Sequence, residues 1–182
     1  MKNINTKYKI GFTLVELLVV ISIIGILSSI VYASFGDARK SARDDIRKTD
    51  LKSLQLAVEL YKAQNGSYPR GDCSYGGYDA LGPSSDCVEY ISGLVPDFIA
   101  ELPIDPHQIT NSDHTTVVGY GYMSNGFDFK ILALNSVELK TITSAEDEFA
   151  RCPSTDNCEI STTVHSDFAK TYAVYSAGAA NW

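Results

Sequence analysis

FTLVELLVVISIIGILSSIVYASF, residues 12–35, decides the reading of this chain. Glu16 is its only charged residue, and wound as an α-helix the stretch extends about 36 Å. The hydrocarbon core of a bilayer is roughly 30 Å thick, so the spacing predicts one membrane-spanning helix. Lys2, Lys7 and Lys9 lie before it, and no lysine follows until Lys40. That asymmetry predicts a cytoplasmic N-terminus and an extracytoplasmic remainder.

Basic residues ahead of an apolar run also mark secretory signal peptides, but there the cut follows the run at an A-x-A-like site. Ser34 and Gly36 give only a weak version of that pattern, and an apolar core of this length is more naturally retained. Glu16 needs its own explanation, because a carboxylate near the bilayer centre costs about 2.5 to 3.5 kcal/mol on insertion scales. The bland account seats it in the first helical turns near the headgroups, where the helix dipole favours negative charge.

The string Gly11-Phe12-Thr13-Leu14-Val15-Glu16, behind a basic leader, resembles the Gly-Phe-Thr-Leu-x-Glu signature of type IV pilins and type II secretion pseudopilins. Gly25 falls where these families commonly carry glycine. Ala33 departs from the pattern, since many members have a helix-kinking proline there. The resemblance implies cleavage by prepilin peptidase between Gly11 and Phe12 and N-methylation of the new Phe12 amine. It also implies assembly through Glu16 paired with the Phe12 amine of a neighbouring subunit. Glycine at the cut offers an approaching protease little steric hindrance. An unpaired charge left in such a bundle would cost about 3 to 5 kcal/mol.

Beyond Phe35 the helical periodicity persists while the sequence turns charged. Ala38, Ala42 and Ile46 give way to Leu51, Leu54, Val58 and Tyr61 at spacings of three and four, which predicts an amphipathic continuation. Arg39, Lys40, Arg43, Asp44, Asp45, Arg47 and Lys48 read as a solvated face, with Asp44 and Lys48 in the favourable i, i+4 order. Asn65-Gly66 and Tyr68-Pro69 predict that the helix stops near Gln64. The chain then divides into a leader, 1–11; a transmembrane or filament-core helix, 12–35; an amphipathic continuation of it, 36–65; and a globular head, 66–182.

The head reads as loops and short strands. Val117 to Met123 and Phe127 to Leu134 flank Asn125-Gly126, which predicts a hairpin with Phe127, Phe129, Ile131 and Ala133 on one face. Thr171 to Ser176 gives a further strand, so an antiparallel sheet can cover the stripe of Leu51, Leu54, Val58 and Tyr61. Leu102-Pro103-Ile104-Asp105-Pro106 resembles the connection before the sheet in many pilins and pseudopilins. The expected fold is α+β, a long N-terminal helix against a small antiparallel sheet, with the ladle outline of a pilin.

Cys73, Cys87, Cys152 and Cys158 all follow the apolar segment, and an even number in an exported domain favours disulfides. Three full connectivities are open. The sequence-local pairs, Cys73 with Cys87 and Cys152 with Cys158, are preferred because short loops cost least entropy to close. Neither spacing is C-x-x-C and the three histidines are dispersed, so no metal is expected. His107, Asp113, His114, His165 and Asp167 read as surface loop residues. Tyr75, Tyr78 and Tyr90 read more naturally as packing or loop anchors than as an adhesive surface.

With 15 Lys and Arg against 22 Asp and Glu, a net charge of -7, direct nucleic-acid binding is not expected. No P-loop, dinucleotide fingerprint or nucleophile elbow is present, so the chain reads as a non-enzyme without a cofactor. The resemblance implies a filament subunit whose partners are copies of itself or other pilins, prepilin peptidase, an inner-membrane platform protein, an assembly ATPase and, before assembly, membrane lipid. It implies a single-pass inner-membrane precursor and then a cell-surface pilus. A type II secretion pseudopilin is the nearest alternative. A membrane-anchored extracytoplasmic binding module or enzyme is the alternative from another class.

Overall fold

Helix α1 runs from Leu14 to Asn65 and passes Ala33 without interruption. The computed structural model describes residues 12–71, 80–81, 89–110, 117–139, 142, 146–153 and 170–182, with backbone alone at 30–34, 80–81, 110 and 117. The chain divides into two compact units, Met1–Arg39 and Lys40–Trp182. Among the described residues no helix is long and apolar enough to cross a membrane. The spanning role expected of residues 12–35 is therefore not shown by the fold.

In the second unit, α1 ends one residue past the expected Gln64. Gly66 follows at φ +82° and its amide donates to the Lys62 carbonyl at 2.8 Å, a left-handed cap that side chains with a Cβ adopt at a cost. The strands among the described residues are β1 (Ala80–Leu81), β2 (Ile109–Thr110), β3 (Val117–Ser124), β4 (Phe129–Leu134) and β5 (Tyr172–Tyr175). All pairings are antiparallel, in the order β1-β3-β4-β5, with β2 also on β3. The expected hairpin is the β3–β4 pair, in the register Tyr122 to Ile131 and Ser124 to Phe129. In its turn, Asn125 Oδ1 accepts from the amides of Phe127 and Asp128, and Gly126 sits at φ +86°.

The stripe on α1 is covered as the periodicity requires. Leu51, Leu54, Ala57 and Val58 are buried against Tyr120, Tyr122, Phe129, Ile131, Ala133, Tyr172 and Val174, and Tyr61 packs at the margin. Burying each large aliphatic side chain contributes about 1.5 to 3 kcal/mol, so this layer supplies the main driving force. The tyrosines bring polar tips into the core and each finds an acceptor. Tyr120 donates to Asp50 at 2.6 Å, Tyr122 to the Pro69 carbonyl at 2.8 Å, and Tyr90 to the Pro103 carbonyl at 3.0 Å. Tyr90 is thus a packing residue; Tyr75 and Tyr78 lie outside the described residues.

One expectation about the sheet needs correction. Phe127 does not join Phe129, Ile131 and Ala133 on the inner face; it belongs to the turn and is 79% exposed. The outer face of β4 is also buried, because the C-terminal segment folds over it. Leu132 and Leu134 pack with Ala173, Met123 and Tyr175, while Lys130 Nζ donates to the main-chain oxygens of Ala180 at 3.0 Å and Trp182 at 2.7 Å. Burial, with Arg151 nearby, pushes the Lys130 amine down from 10.5 to about 7. Between those values the unfolded chain binds the extra proton, so this group makes stability rise as pH increases from 7 towards 10. Thermal unfolding measured from pH 7 to 9 is expected to show that rise, and Lys130→Met is expected to flatten it; an equal slope in both proteins contradicts the assignment.

Candidate functional site

In the first unit the sequence builds an apolar helix and leaves its sides uncovered. Phe12, Leu14, Val15 and the large apolar residues onward to Leu27 are 47% to 85% exposed. The hydroxyls of Ser22 and Ser29 are satisfied within the helix, on the Leu18 and Ile26 carbonyls. Contiguous apolar surface of this kind marks a site of association with protein or lipid.

At the start of this helix Thr13 and Glu16 form a capping box. The Thr13 amide donates to Glu16 Oε2 at 2.9 Å, the Glu16 amide donates to Thr13 Oγ1 at 3.2 Å, and the Thr13 hydroxyl donates to Glu16 Oε2 at 2.7 Å. The carboxylate therefore has a role within its own chain, one legible in the Thr-x-x-Glu spacing that the sequence reading passed over. Gly11 lies outside the described residues, and Phe12 precedes the helix.

The second unit holds an ion network that the sequence did not announce. Asp44 and Arg47 are buried, 4% and 0% exposed, rather than lying on a solvated face. Arg47 Nε donates to Asp105 Oδ2 at 2.8 Å, Nη1 to Asp44 Oδ1 at 2.8 Å, and Nη2 to Glu138 Oε1 at 2.9 Å. Arg43 adds a bidentate pair with Glu138. Asp44 does not pair with Lys48; its carboxylate accepts from the amides of Glu138 and Leu139. Lys48 instead stands over the rings of Tyr172 and Phe149.

Burial opposes the Arg47 charge, but the surrounding carboxylates outweigh it and hold the guanidinium more firmly protonated than usual. Arg43, aided by Arg47, pulls the Glu138 carboxyl down to about 2. Two guanidinium groups thus bind three carboxylates from α1, the Asp105 loop and the segment after β4. The Arg43-x-x-x-Arg47 spacing was a weak available signal; the acids that meet it are remote in sequence. Among the described residues no group of three or more His, Cys, Asp and Glu side chains could hold a metal ion.

Cys152 is buried and disulfide-bonded, and Lys130 Nζ lies 3.6 Å from its sulfur. Cys73, Cys87 and Cys158, along with Asp113, His114, His165 and Asp167, lie outside the described residues, so the pairing remains an expectation. His107 is exposed, its amide held by Asp105 Oδ1 at 2.7 Å.

Residues 6–32 match the family described as Prokaryotic N-terminal methylation motif. The chain is 37% identical over 99 residues to the type II secretion system core protein G of Klebsiella pneumoniae, covering 53% of this chain and 67% of that protein. It is 31% identical over 97 residues to the core protein G of Pseudomonas aeruginosa, covering 53% and 66%. It is 41% identical over 58 residues to the type IV wide pilus major component PilA4 of Thermus thermophilus, covering 32% and 44%. The chain spans slightly less than two thirds of the Pseudomonas aeruginosa and Vibrio cholerae core proteins G. No solved structure matches it. The chain belongs to the family of type IV pilins and type II secretion pseudopilins.

Removing Arg47 strands buried carboxylates, so Arg47→Ala is expected to cost about 3 to 5 kcal/mol in denaturant unfolding. A loss under about 1 kcal/mol would remove the network from the stability argument. Glu138, with its carboxyl depressed from 4.5 to about 2, contributes stability above pH 4.5 that disappears as pH falls towards 2. Glu138→Gln is expected to show a shallower acid-induced loss across that window by circular dichroism.

Proposed function

We propose that this chain is a structural subunit of a type IV pilus, cut by prepilin peptidase after Gly11, methylated on the Phe12 amine and polymerised through the apolar part of α1. The observation that carries the reading is the apolar surface from Phe12 to Leu27, which no described residue of its own unit covers. Before assembly, lipid of the inner membrane covers it in a single-pass precursor with a cytoplasmic N-terminus and an extracytoplasmic head. In the filament, the same segment of other subunits replaces the lipid. The work of extraction comes from a separate assembly ATPase acting through an inner-membrane platform protein, and the chain itself needs neither a catalytic site nor a cofactor.

Glu16 then has two duties. It caps the first turn through Thr13, and its remaining charge meets the Phe12 amine of a neighbour once the apolar segments pack together. The disulfide at Cys152 and three further cysteines suit a head held outside the cell.

A pseudopilus of a type II secretion system is the second reading. Its support is that the core proteins G of Pseudomonas aeruginosa and Klebsiella pneumoniae match 53% of this chain, against 32% for the wide-pilus component. Deleting the gene separates the two. Loss of surface filaments with secretion intact favours the pilus, and loss of enzyme secretion favours the pseudopilus.

Mass spectrometry of the protein from cells is expected to find N-methyl-Phe12 as the first residue; a mature chain beginning at Met1 sinks the proposal. Glu16→Gln keeps the capping geometry and removes the charge, whereas Glu16→Ala removes both. Both variants are expected to enter filaments at least about tenfold less well than the parent, since an unpaired buried charge costs several kcal/mol. Normal incorporation of Glu16→Gln would confine Glu16 to its capping role.

A further inference from the structure

Inside and outside are exchanged on one stretch of α1. Arg47 is fully buried while its neighbour Ile46 is 47% exposed and forms the floor of a shallow groove of about 530 Å³. Ala42 and Thr49 continue the floor, and Asp45 and Asp50 stand at its edge. Asp50 is engaged by the Tyr120 hydroxyl, but the exposed Asp45 carboxylate has no partner among the described residues. The periodicity that began with Ala38, Ala42 and Ile46 thus leaves an apolar floor with an acidic rim on the outside of the head.

The same unit carries the complementary shape. Phe127 protrudes from the β3–β4 turn at 79% exposure, and Arg70 lines the same cleft beside it. The Arg70 guanidinium is exposed and has no partner among the described residues. Lys62 Nζ, bonded to the Phe127 carbonyl at 3.1 Å, adds a second positive charge at the base of the knob. An apolar knob flanked by cations and an apolar groove flanked by carboxylates therefore occur on one molecule.

We infer that Phe127 and Arg70 of one copy dock into the Ala42–Ile46–Thr49 groove of a second copy, with Arg70 against Asp45. The inference rests on the filament reading and deepens it by naming a contact between heads. Knob and groove are different patches, so the contact is heterologous: it does not close into a two-fold dimer, and where the rotation between copies leaves no ring it propagates as the helical array that the filament reading requires. Lys62 lies about 24 Å further along α1 than Ile46, so parallel copies joined this way are displaced by about that distance along the helix axis. Each contact buries a modest area and adds one surface ion pair, which is weak alone and is repeated at every subunit of an array.

The test places a photoactivatable benzoylphenylalanine at 127 in the full chain, with filaments assembled in cells by their own machinery. Crosslinking followed by mass spectrometry is expected to join position 127 to residues 42–50 of another copy. Arg70→Asp and Asp45→Lys are each expected to lower filament yield about threefold or more, and the two together to restore it. Filaments that crosslink from position 127 to another part of the copy or to a different protein, or that are indifferent to both charge changes, overturn this contact while leaving the filament reading intact. No filament from the unaltered chain overturns both.

Discussion

A fully buried guanidinium, that of Arg47, is the point at which three remote parts of the chain are tied together. It binds Asp44 on its own helix, Asp105 in the loop before β2 and Glu138 after β4. A single buried ion pair contributes little net stability, because desolvation consumes most of the attraction. Here three carboxylates share two guanidinium groups, and the burial of Leu51, Leu54 and Val58 supplies the energy that closes the site. The apolar stripe drives the sheet onto the helix, and the charged cluster sets where along the helix the loops attach.

That division of labour explains the asymmetry of α1 within the second unit. One face is sealed by β3, β4 and β5, and the polar tips of Tyr120, Tyr122 and Tyr90 are all satisfied there. The opposite face keeps Ile46, Leu56 and Leu60 in contact with solvent at 47%, 62% and 45% exposure. Apolar residues left outside while an arginine is taken inside are costly for an isolated monomer and reasonable for a subunit whose surface is later covered. The uncovered surface of Phe12 to Leu27 in the first unit follows the same principle on a larger scale.

Capping gives Glu16 a role within its own chain that is compatible with the proposed pairing between subunits. Glu16 satisfies the Thr13 amide in the monomer, which fixes the first turn and holds the carboxylate beside the N-terminal residue of the proposed mature chain. A charge already held in place at the helix start loses less freedom on meeting a neighbouring amine than one on a loose side chain would. The same geometry therefore serves helix initiation and, in the proposed filament, subunit pairing.

The sequence by itself determined the elements whose signals are local. The apolar run and its Gly-Phe-Thr-Leu-x-Glu border gave the family, the three- and four-residue spacing gave Leu51, Leu54 and Val58 as the buried stripe, and Asn125-Gly126 gave the hairpin turn. Only the tertiary structure decided which charges go inside. Asp44 and Arg47 looked like solvated residues because Asp105 and Glu138 come to them from far along the chain, and Lys130 looked like an ordinary strand residue until the C-terminal segment covered it. Periodicity reports which face of an element is apolar, whereas the burial of a charge depends on partners that meet only after the chain has folded.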